Sequence, residues 1–304
     1  MFLNSGCEYG EELGAAAAGC NIVEYLARRY PSAGREEWLR RIVSGRVLLE
    51  GVEAGPDASL SPGQKLIWRR PSWEEPDVPL AFAVLYRDEH LLAVAKPVGL
   101  PVLPGGGLFV ENTLLSLVRS RYPEANPLHR LGRGTSGIVL FARSPEIFRK
   151  VSQAWSRGEV LKVYRTLSVG LPLEDSFDID APIGRVPHPL LKTIYAAVSH
   201  GDCAGKPAQS HVSVLERRNG CTLMEVRIVT GRPHQIRIHL AAAGFPLSGD
   251  PLYGVGGIPM TDSRALPGDT GYFLHSALLG FLHPATGNWI KIDCFPPPVL
   301  RTMG

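Results

Sequence analysis

Two segments of the 304-residue chain concentrate the side chains that do chemistry. The first, Leu128-His129-Arg130-Leu131-Gly132-Arg133-Gly134-Thr135-Ser136-Gly137-Ile138-Val139-Leu140, is a short polar loop with one imidazole and two guanidinium groups that runs directly into an apolar stretch. Forked guanidinium donors match the oxygens of phosphate, so the loop suits an anion. A turn whose arginines are merely solvated is the alternative that the loop by itself leaves open. Its core also spells G-x-G-x-x-G, the dinucleotide fingerprint, which needs a strand before it and a helix after it. Here Asn126-Pro127 precedes and the β-rich Ile138 to Phe141 follows, so no helix N-terminus is offered to a pyrophosphate. A nucleotide-dependent oxidoreductase is therefore a remote reading.

The second segment, Thr230-Gly231-Arg232-Pro233-His234-Gln235-Ile236-Arg237-Ile238-His239-Leu240, continues to Gly249-Asp250-Pro251-Leu252-Tyr253-Gly254. Pro233 suits the first turn of a helix, and a helix starting there sets Arg237 one turn beyond His234, so that one face presents cations. His234 and His239 stand five apart where a helical zinc pair needs four, which disfavours a metal.

The elements that must position these segments read as a mixture. Asn21 followed by Glu24 has the form of a helix cap, and Ile22, Leu26 and Tyr30 recur at helical spacing up to Pro31. A second helix over Glu36 to Val43 stops at Gly45, and strands follow at Val47 to Leu49 and Lys65 to Arg69. The Pro-rich, acidic run from Pro71 to Pro79 has the composition of a linker. Beyond Leu80, short apolar runs predict strands at Phe82 to Tyr86, Leu91 to Ala95, Ile138 to Ala142, Tyr164 to Gly170, Val212 to Leu215 and Leu223 to Ile228. Helices are predicted at Glu111 to Arg121, Ser144 to Trp155 and His234 to Ala243. Strands joined by turns with helices interspersed point to an α+β fold with a mixed, mainly antiparallel sheet. Residues 1–20, poor in large apolar side chains, read as an arm. The expected layout is thus an arm at 1–20, a small module at 21–77 and a large domain at 78–304.

Composition narrows the function further. Thirty-two basic against 29 acidic residues give +3, which excludes a polyanion binder driven by bulk charge and leaves a protein with one basic face. Arg40, Arg41 and Arg46, in a helix and the turn after it, are candidates for such a face, with a solvated helix surface as the alternative. No uncharged apolar run reaches the length of about 18 residues that a membrane span needs. Residues 1–12 contain no Lys or Arg, against a secretory or transit signal, so a soluble, cytoplasmic protein is expected. Cys7, Cys20, Cys203, Cys221 and Cys294 are scattered and never form C-x-x-C, which argues for reduced thiols and against a zinc knuckle.

In order and spacing, Lys96-Pro97-Val98-Gly99-Leu100, His129 to Gly137, Leu161-Lys162-Val163-Tyr164-Arg165 and Thr230 to Leu240 resemble the motifs of the RluA-type pseudouridine synthases. So do Gly205-Lys206-Pro207-Ala208, Gly249 to Gly254, Leu274-His275-Ser276 and Phe281-Leu282-His283-Pro284. The resemblance covers about residues 80 to 298. Residues 21–77 more weakly resemble the small α/β S4-like RNA-binding domain that often precedes this catalytic domain. The resemblance implies a cofactor-free isomerase that detaches uracil from its ribose in RNA, rotates it and rejoins it through carbon. It implies structured RNA, ribosomal or transfer, as the partner, and a monomer without metal or membrane.

Carried over residue by residue, Tyr164 matches the family's base-stacking tyrosine and Arg237 the arginine that pairs with its catalytic aspartate. His129, Arg130, Arg133, Arg232 and His234 fall in motifs that face RNA. The aspartate of H-R-L-D-R-x-T-S-G does not carry over, because Gly132 stands at its position. Glycine cannot attack, and loss of a nucleophile can cost on the order of a millionfold in turnover. Asp250 and Asp180 are the nominal carboxylates that could replace it or neutralise Arg237. A catalytically silent RNA-binding member of the family is the rival reading.

Overall fold

The computed structural model describes residues 2–31, 33–105, 107–199, 201 and 205–303, and the chain divides into two compact units, Met1–Asp77 and Val78–Gly304. Cys203 lies outside the described residues; the other four cysteines are free thiols.

In the first unit the Asn21 side chain accepts hydrogen bonds from the Val23 and Glu24 backbone N–H groups and so starts the helix Ile22–Arg29. A second helix, Gly34–Val43, begins two residues before its expected start. Both pack on an antiparallel sheet of order Cys7–Glu12, Lys65–Arg70, Val47–Leu49, Val52–Glu53. The expectation of an N-terminal arm is corrected here. Cys7 to Glu12 pair along the whole of Lys65 to Arg70, Tyr9 stacks on Trp68 at 5.3 Å, and Leu13 and Ala17 are buried with Ile22, Leu26, Trp38 and Ile42. An edge strand gains its backbone ladder whatever its side chains, and Ala17 fits where a larger residue would not.

The second unit is built on a ten-stranded sheet. Its main path runs Ser176–Ile179, Ser210–Arg218, Cys221–Ile228, Leu161–Val169, Leu274–Leu282, Thr135–Ala142, Leu91–Lys96, Ala83–Arg87. Off that path, Trp289–Asp293 pairs with Leu274–Leu282 and Asn126–Pro127 with Thr135–Ala142. All pairings are antiparallel but one: Thr135 to Gly137 run parallel to Leu274 to Ser276. Gly137 is needed there, with φ at 108°, because a Cβ would meet the Ser276 carbonyl oxygen at 2.2 Å. The helices Leu114–Arg119 and Pro145–Ser156 start at Thr113 and Ser144, whose hydroxyls accept from Ser116 N and Ile147 N. Strand Thr135–Ala142 is buried at every residue and divides two cores. One contains Val139, Phe141, Tyr164, Ile236 and Tyr272; the other contains Ile138, Leu140, Ile147 and Phe281. A hairpin, Ile183–His188 with Lys192–Ala197, forms a separate two-stranded sheet. The architecture is the expected α+β with a mainly antiparallel sheet.

Candidate active site

The loop that precedes the buried Thr135–Ala142 strand is held from several sides. Lys96, buried without a carboxylate, donates from Nζ to the carbonyls of Pro97 at 2.8 Å, Leu100 at 2.7 Å and Arg133 at 3.4 Å. Burial lowers its pKa to about 7. Gly99 N–H also donates to the Arg133 carbonyl, so the Lys96–Leu100 motif fastens the 132–134 turn. His129 stacks on Trp155 at 4.7 Å, and its Nε2 accepts from the Leu140 N–H at 3.1 Å. Burial, with a smaller push from Lys162, drives its pKa down to about 3, so the imidazole is a neutral acceptor that anchors the loop. Ser136 and His275 pair at 2.8 Å, and His275 Nε2 donates to the Cys294 carbonyl. Arg130 projects outward and is exposed. Arg133 donates from Nε to the Gly268 carbonyl at 2.8 Å and stands 3.8 Å from Asp269.

Helix Gln235–Ala242 begins one residue later than expected, because His234 takes a left-handed conformation (φ 56°) as its N-cap. The expected cationic helix face is corrected. His234 Nδ1 donates to the Tyr253 hydroxyl at 2.8 Å, whose own proton goes to the Tyr195 carbonyl. Burial lowers the His234 pKa to about 4, with the Arg237 charge adding to the shift, so the ring is neutral. Gln235 locks the turn by accepting from the Thr230 hydroxyl and the Arg232 N–H while donating to the Gln209 carbonyl and Ser210. Arg232 donates to the Pro207 carbonyl.

Arg237 points inward and meets Asp250, with Nε–Oδ2 and Nη2–Oδ1 both 2.7 Å and side chains only 3% and 1% exposed. Burial opposes the charge, but the bonds from Asp250 prevail and raise the Arg237 pKa. Asp250 Oδ1 additionally accepts from Leu252 N and Tyr253 N, so the carboxylate has four donors and both of its oxygens are engaged. Of the two nominal carboxylates, Asp250 is the counter-charge of Arg237; Asp180 is exposed and acts on His239.

The group nearest the position of the missing side chain is Tyr272. A Cβ built on Gly132 would lie 3.0 Å from the Tyr272 hydroxyl oxygen, and one built on Gly134 would lie 2.8 Å from its ring carbons. The Tyr272 hydroxyl is 3.3 Å from Thr135 Oγ1, and the Arg237 guanidinium lies over the ring at 4.2 Å from its centroid. Tyr164 is buried and belongs to the same core cluster as Leu131, Ile236 and Tyr272. Burial raises its pKa to about 12, which keeps the phenol neutral. The fold therefore brings Gly132 and Arg237 together on Tyr272 and adds Asp250, while Arg133 ties the loop to Gly268 and Tyr164 lies in the same buried cluster as Tyr272. Tyr272 carries no motif of its own; its only signal in the sequence is its place two residues before Leu274-His275-Ser276.

Arg40, Arg41 and Arg46 lie in the other unit. Arg40 is exposed and pairs with Glu37 at 2.6 Å. Arg41 also bonds Glu37 and is sandwiched between Trp38 and Trp68, 4.6 and 4.3 Å from the rings, so it is a packing element. Arg46 is exposed at the turn. Among the described residues no group of three or more His, Cys, Asp or Glu is placed to hold a metal ion, and no helix is long and apolar enough to cross a membrane.

A mainly antiparallel sheet with helices packed on it, a motif loop entering a fully buried strand and a buried arginine against a tyrosine ring make up the α+β framework of this site. The chain belongs to the RNA pseudouridylate synthase family, whose model matches residues 90–242. It is 46% identical over 283 residues to an uncharacterized RNA pseudouridine synthase of Synechocystis, covering 92% of this chain and 96% of that one. It is 33% identical over 289 residues to the ribosomal large subunit pseudouridine synthase D of Pseudomonas aeruginosa, covering 90% and 87%. The solved structure of human RNA pseudouridylate synthase domain containing 1 shares the fold, with a TM-score of 0.58 at 23% identity over 75% of this chain and 89% of that one. The chain is thus an RNA pseudouridine synthase, an isomerase by class.

Proposed function

We propose that the site built from the 129–137 loop, Tyr164 and Arg237 takes a uridine extruded from structured RNA, ribosomal or transfer, and returns it as pseudouridine. The observation that supports the reading is that Arg237 lies over the Tyr272 ring, which abuts the turn of Gly132, on an otherwise motif-complete scaffold with Tyr164 in the same buried cluster. An atom within a stacked duplex is out of reach, so the base must leave its stack. Tyr164 supplies the stacking face. Arg130, Arg133 and Arg232 line the approach as phosphate contacts, and His129 and His234 act by shaping the two loops, since both rings are neutral and committed. The name of the Pseudomonas relative supports ribosomal RNA as the first substrate to try. The first unit is proposed to hold RNA through exposed Arg40 and Arg46 in the manner of an S4-like domain, in a monomeric cytoplasmic protein that needs no cofactor.

A second reading, a silent RNA binder, is favoured by one specific observation: Gly132 has no side chain and Asp250 has no free oxygen. The two separate on one experiment. Ribosomal and transfer RNA transcripts labelled with tritium at uracil C5 are incubated with the wild-type protein and with Gly132→Asp, and released tritium is counted. Release by the wild type is the expected result. Release by Gly132→Asp alone would establish the silent binder.

A further inference from the structure

Why position 132 is glycine has a physical answer. Its backbone is not left-handed, so conformational freedom is not the reason. The reason is Tyr272: side chains at 132 and 134 would run into its hydroxyl and its ring, so the Gly132-Arg133-Gly134 turn is shaped to receive this tyrosine. The Tyr272 oxygen, 3.0 Å from a Cβ on residue 132, falls within the space an aspartate carboxylate would sweep from that position. It is a functional group in place of the absent one.

The second observation is the rewiring of Arg237. In the family this arginine is the partner of the aspartate. Here its charge is met in full by Asp250, and its flat face lies against the Tyr272 ring. Arg237 therefore still touches the group at the vacated position, now through the π face of a phenol. Tyr272 itself is buried at 4% exposure and Gly132 is exposed, so a ribose must reach the hydroxyl over the side-chain-free turn at Gly132.

We propose that Tyr272 is the catalytic nucleophile of this enzyme, an assignment that rests on the isomerase reading above. Tyrosine attacks the anomeric carbon of sugars in sialidases, where other glycosidases use a carboxylate, so the chemistry at a C1′ atom has precedent. The step balances without a co-reactant. Tyr272 Oη forms a bond to ribose C1′ as the C1′–N1 bond breaks, and the phenol proton passes to the departing uracil, where it becomes the N1–H of the product. After the base rotates, C5 attacks C1′ and the aryl C1′–O bond breaks. The proton lost from C5 returns to the phenolate oxygen, which regenerates the enzyme. Arg237 lies over the ring that shares the negative charge as this bond breaks.

The test uses the full chain and the C5-tritiated transcripts described above, with Tyr272→Phe as the principal variant. Phenylalanine keeps the ring on Arg237 and between the two glycines, and a thermal melt compared with wild type verifies the fold. The expected result is a fall in kcat of at least about a thousandfold with KM for the RNA within about threefold. Partial recovery in the Gly132→Asp/Tyr272→Phe double variant, which returns a carboxylate to the same space, adds support. A folded Tyr272→Phe protein with kcat within about tenfold of wild type would overturn the assignment while leaving the isomerase reading intact. No tritium release from any transcript by the wild type would overturn both.

Discussion

Removing the carboxylate of Asp250 should expose how much of the large unit depends on one ion pair. Asp250 accepts two bonds from Arg237 and two from backbone N–H groups, all between 2.7 and 3.1 Å, in a place closed to water. Asp250→Ala leaves the guanidinium with only the Pro267 carbonyl at 3.2 Å and the two flanking tyrosine rings, and it orphans Leu252 N–H and Tyr253 N–H. Breaking a buried pair from one side costs about 3–5 kcal/mol. Each orphaned donor costs about 1–3 kcal/mol, a part of which overlaps with the first figure and is recovered where water enters. A net loss of about 4 kcal/mol follows, and in a unit of this size it lowers Tm by roughly 8–16 °C. The measurement is the denaturant and thermal unfolding of wild type, Asp250→Ala and Arg237→Met/Asp250→Leu. The double variant removes both charges, so it should be less destabilised than Asp250→Ala by about 2 kcal/mol or more. An Asp250→Ala protein within about 1 kcal/mol of wild type would refute the claim that Arg237 is a cation neutralised by this residue alone.

Four further outcomes follow from other contacts. His129 is neutral when folded, with its pKa pushed to about 3, and takes up a proton on unfolding below about pH 6.5, so it makes stability fall as pH drops from 6.5 towards 3. His129→Phe should lessen the acid slope of the unfolding free energy by up to about 1.4 kcal/mol per pH unit in that window, read from urea melts at stepped pH; an unchanged slope would show that the imidazole is already protonated in the fold. Arg41→Ala should destabilise the first unit by about 1–3 kcal/mol through loss of its two ring contacts, without altering the salt dependence of RNA affinity. Arg40→Ala or Arg46→Ala should leave stability nearly unchanged and shallow that salt slope, as filter binding at several salt concentrations would report. Tyr164→Ala, in a protein verified to be folded, should weaken the binding of RNA with an extruded base by about 1–3 kcal/mol, and equal affinities would remove the stacking role.

Much of the scaffold can be read from local signals. Asn21 and Ser144 announce their helices by the caps they form, whereas the helix expected over Glu111 to Arg121 is the shorter Leu114–Arg119 capped by Thr113, and Leu91 to Lys96 and Ile138 to Ala142 show themselves as apolar runs because both are buried strands. The strand Leu274–Leu282 is harder to see, since near its start it carries the polar pair His275-Ser276, of which His275 is satisfied inside by Ser136 and the Cys294 carbonyl. The hairpin Ile183–His188 and Lys192–Ala197 contains Pro187 and His188, whose types argue for a loop. Within the site, Tyr164 and Arg237 are marked by their motifs, and Asp250 by its charge. That His234 is neutral, that Arg41 packs between two indoles and that Tyr272 fills the space at Gly132 are matters of tertiary packing. The 137 residues between Thr135 and Tyr272 hide the last of these from any local window.

The single parallel pairing, Thr135 to Gly137 beside Leu274 to Ser276, also sets the time at which the site comes into being. Its two halves are made far apart: 139 residues separate Ser136 from His275. At a synthesis rate of about 5–20 residues per second, the 129–137 loop leaves the ribosome roughly 7–28 s before the strand that completes it. During that interval the loop has neither Tyr272 beneath it nor its neighbouring strand, and the buried central strand has one side unpaired. A growing chain therefore carries the arginines of the motif long before it carries a pocket. Contacts of such sequence separation form late in folding, so catalytic competence marks the end of folding in this protein and cannot belong to a partly made one.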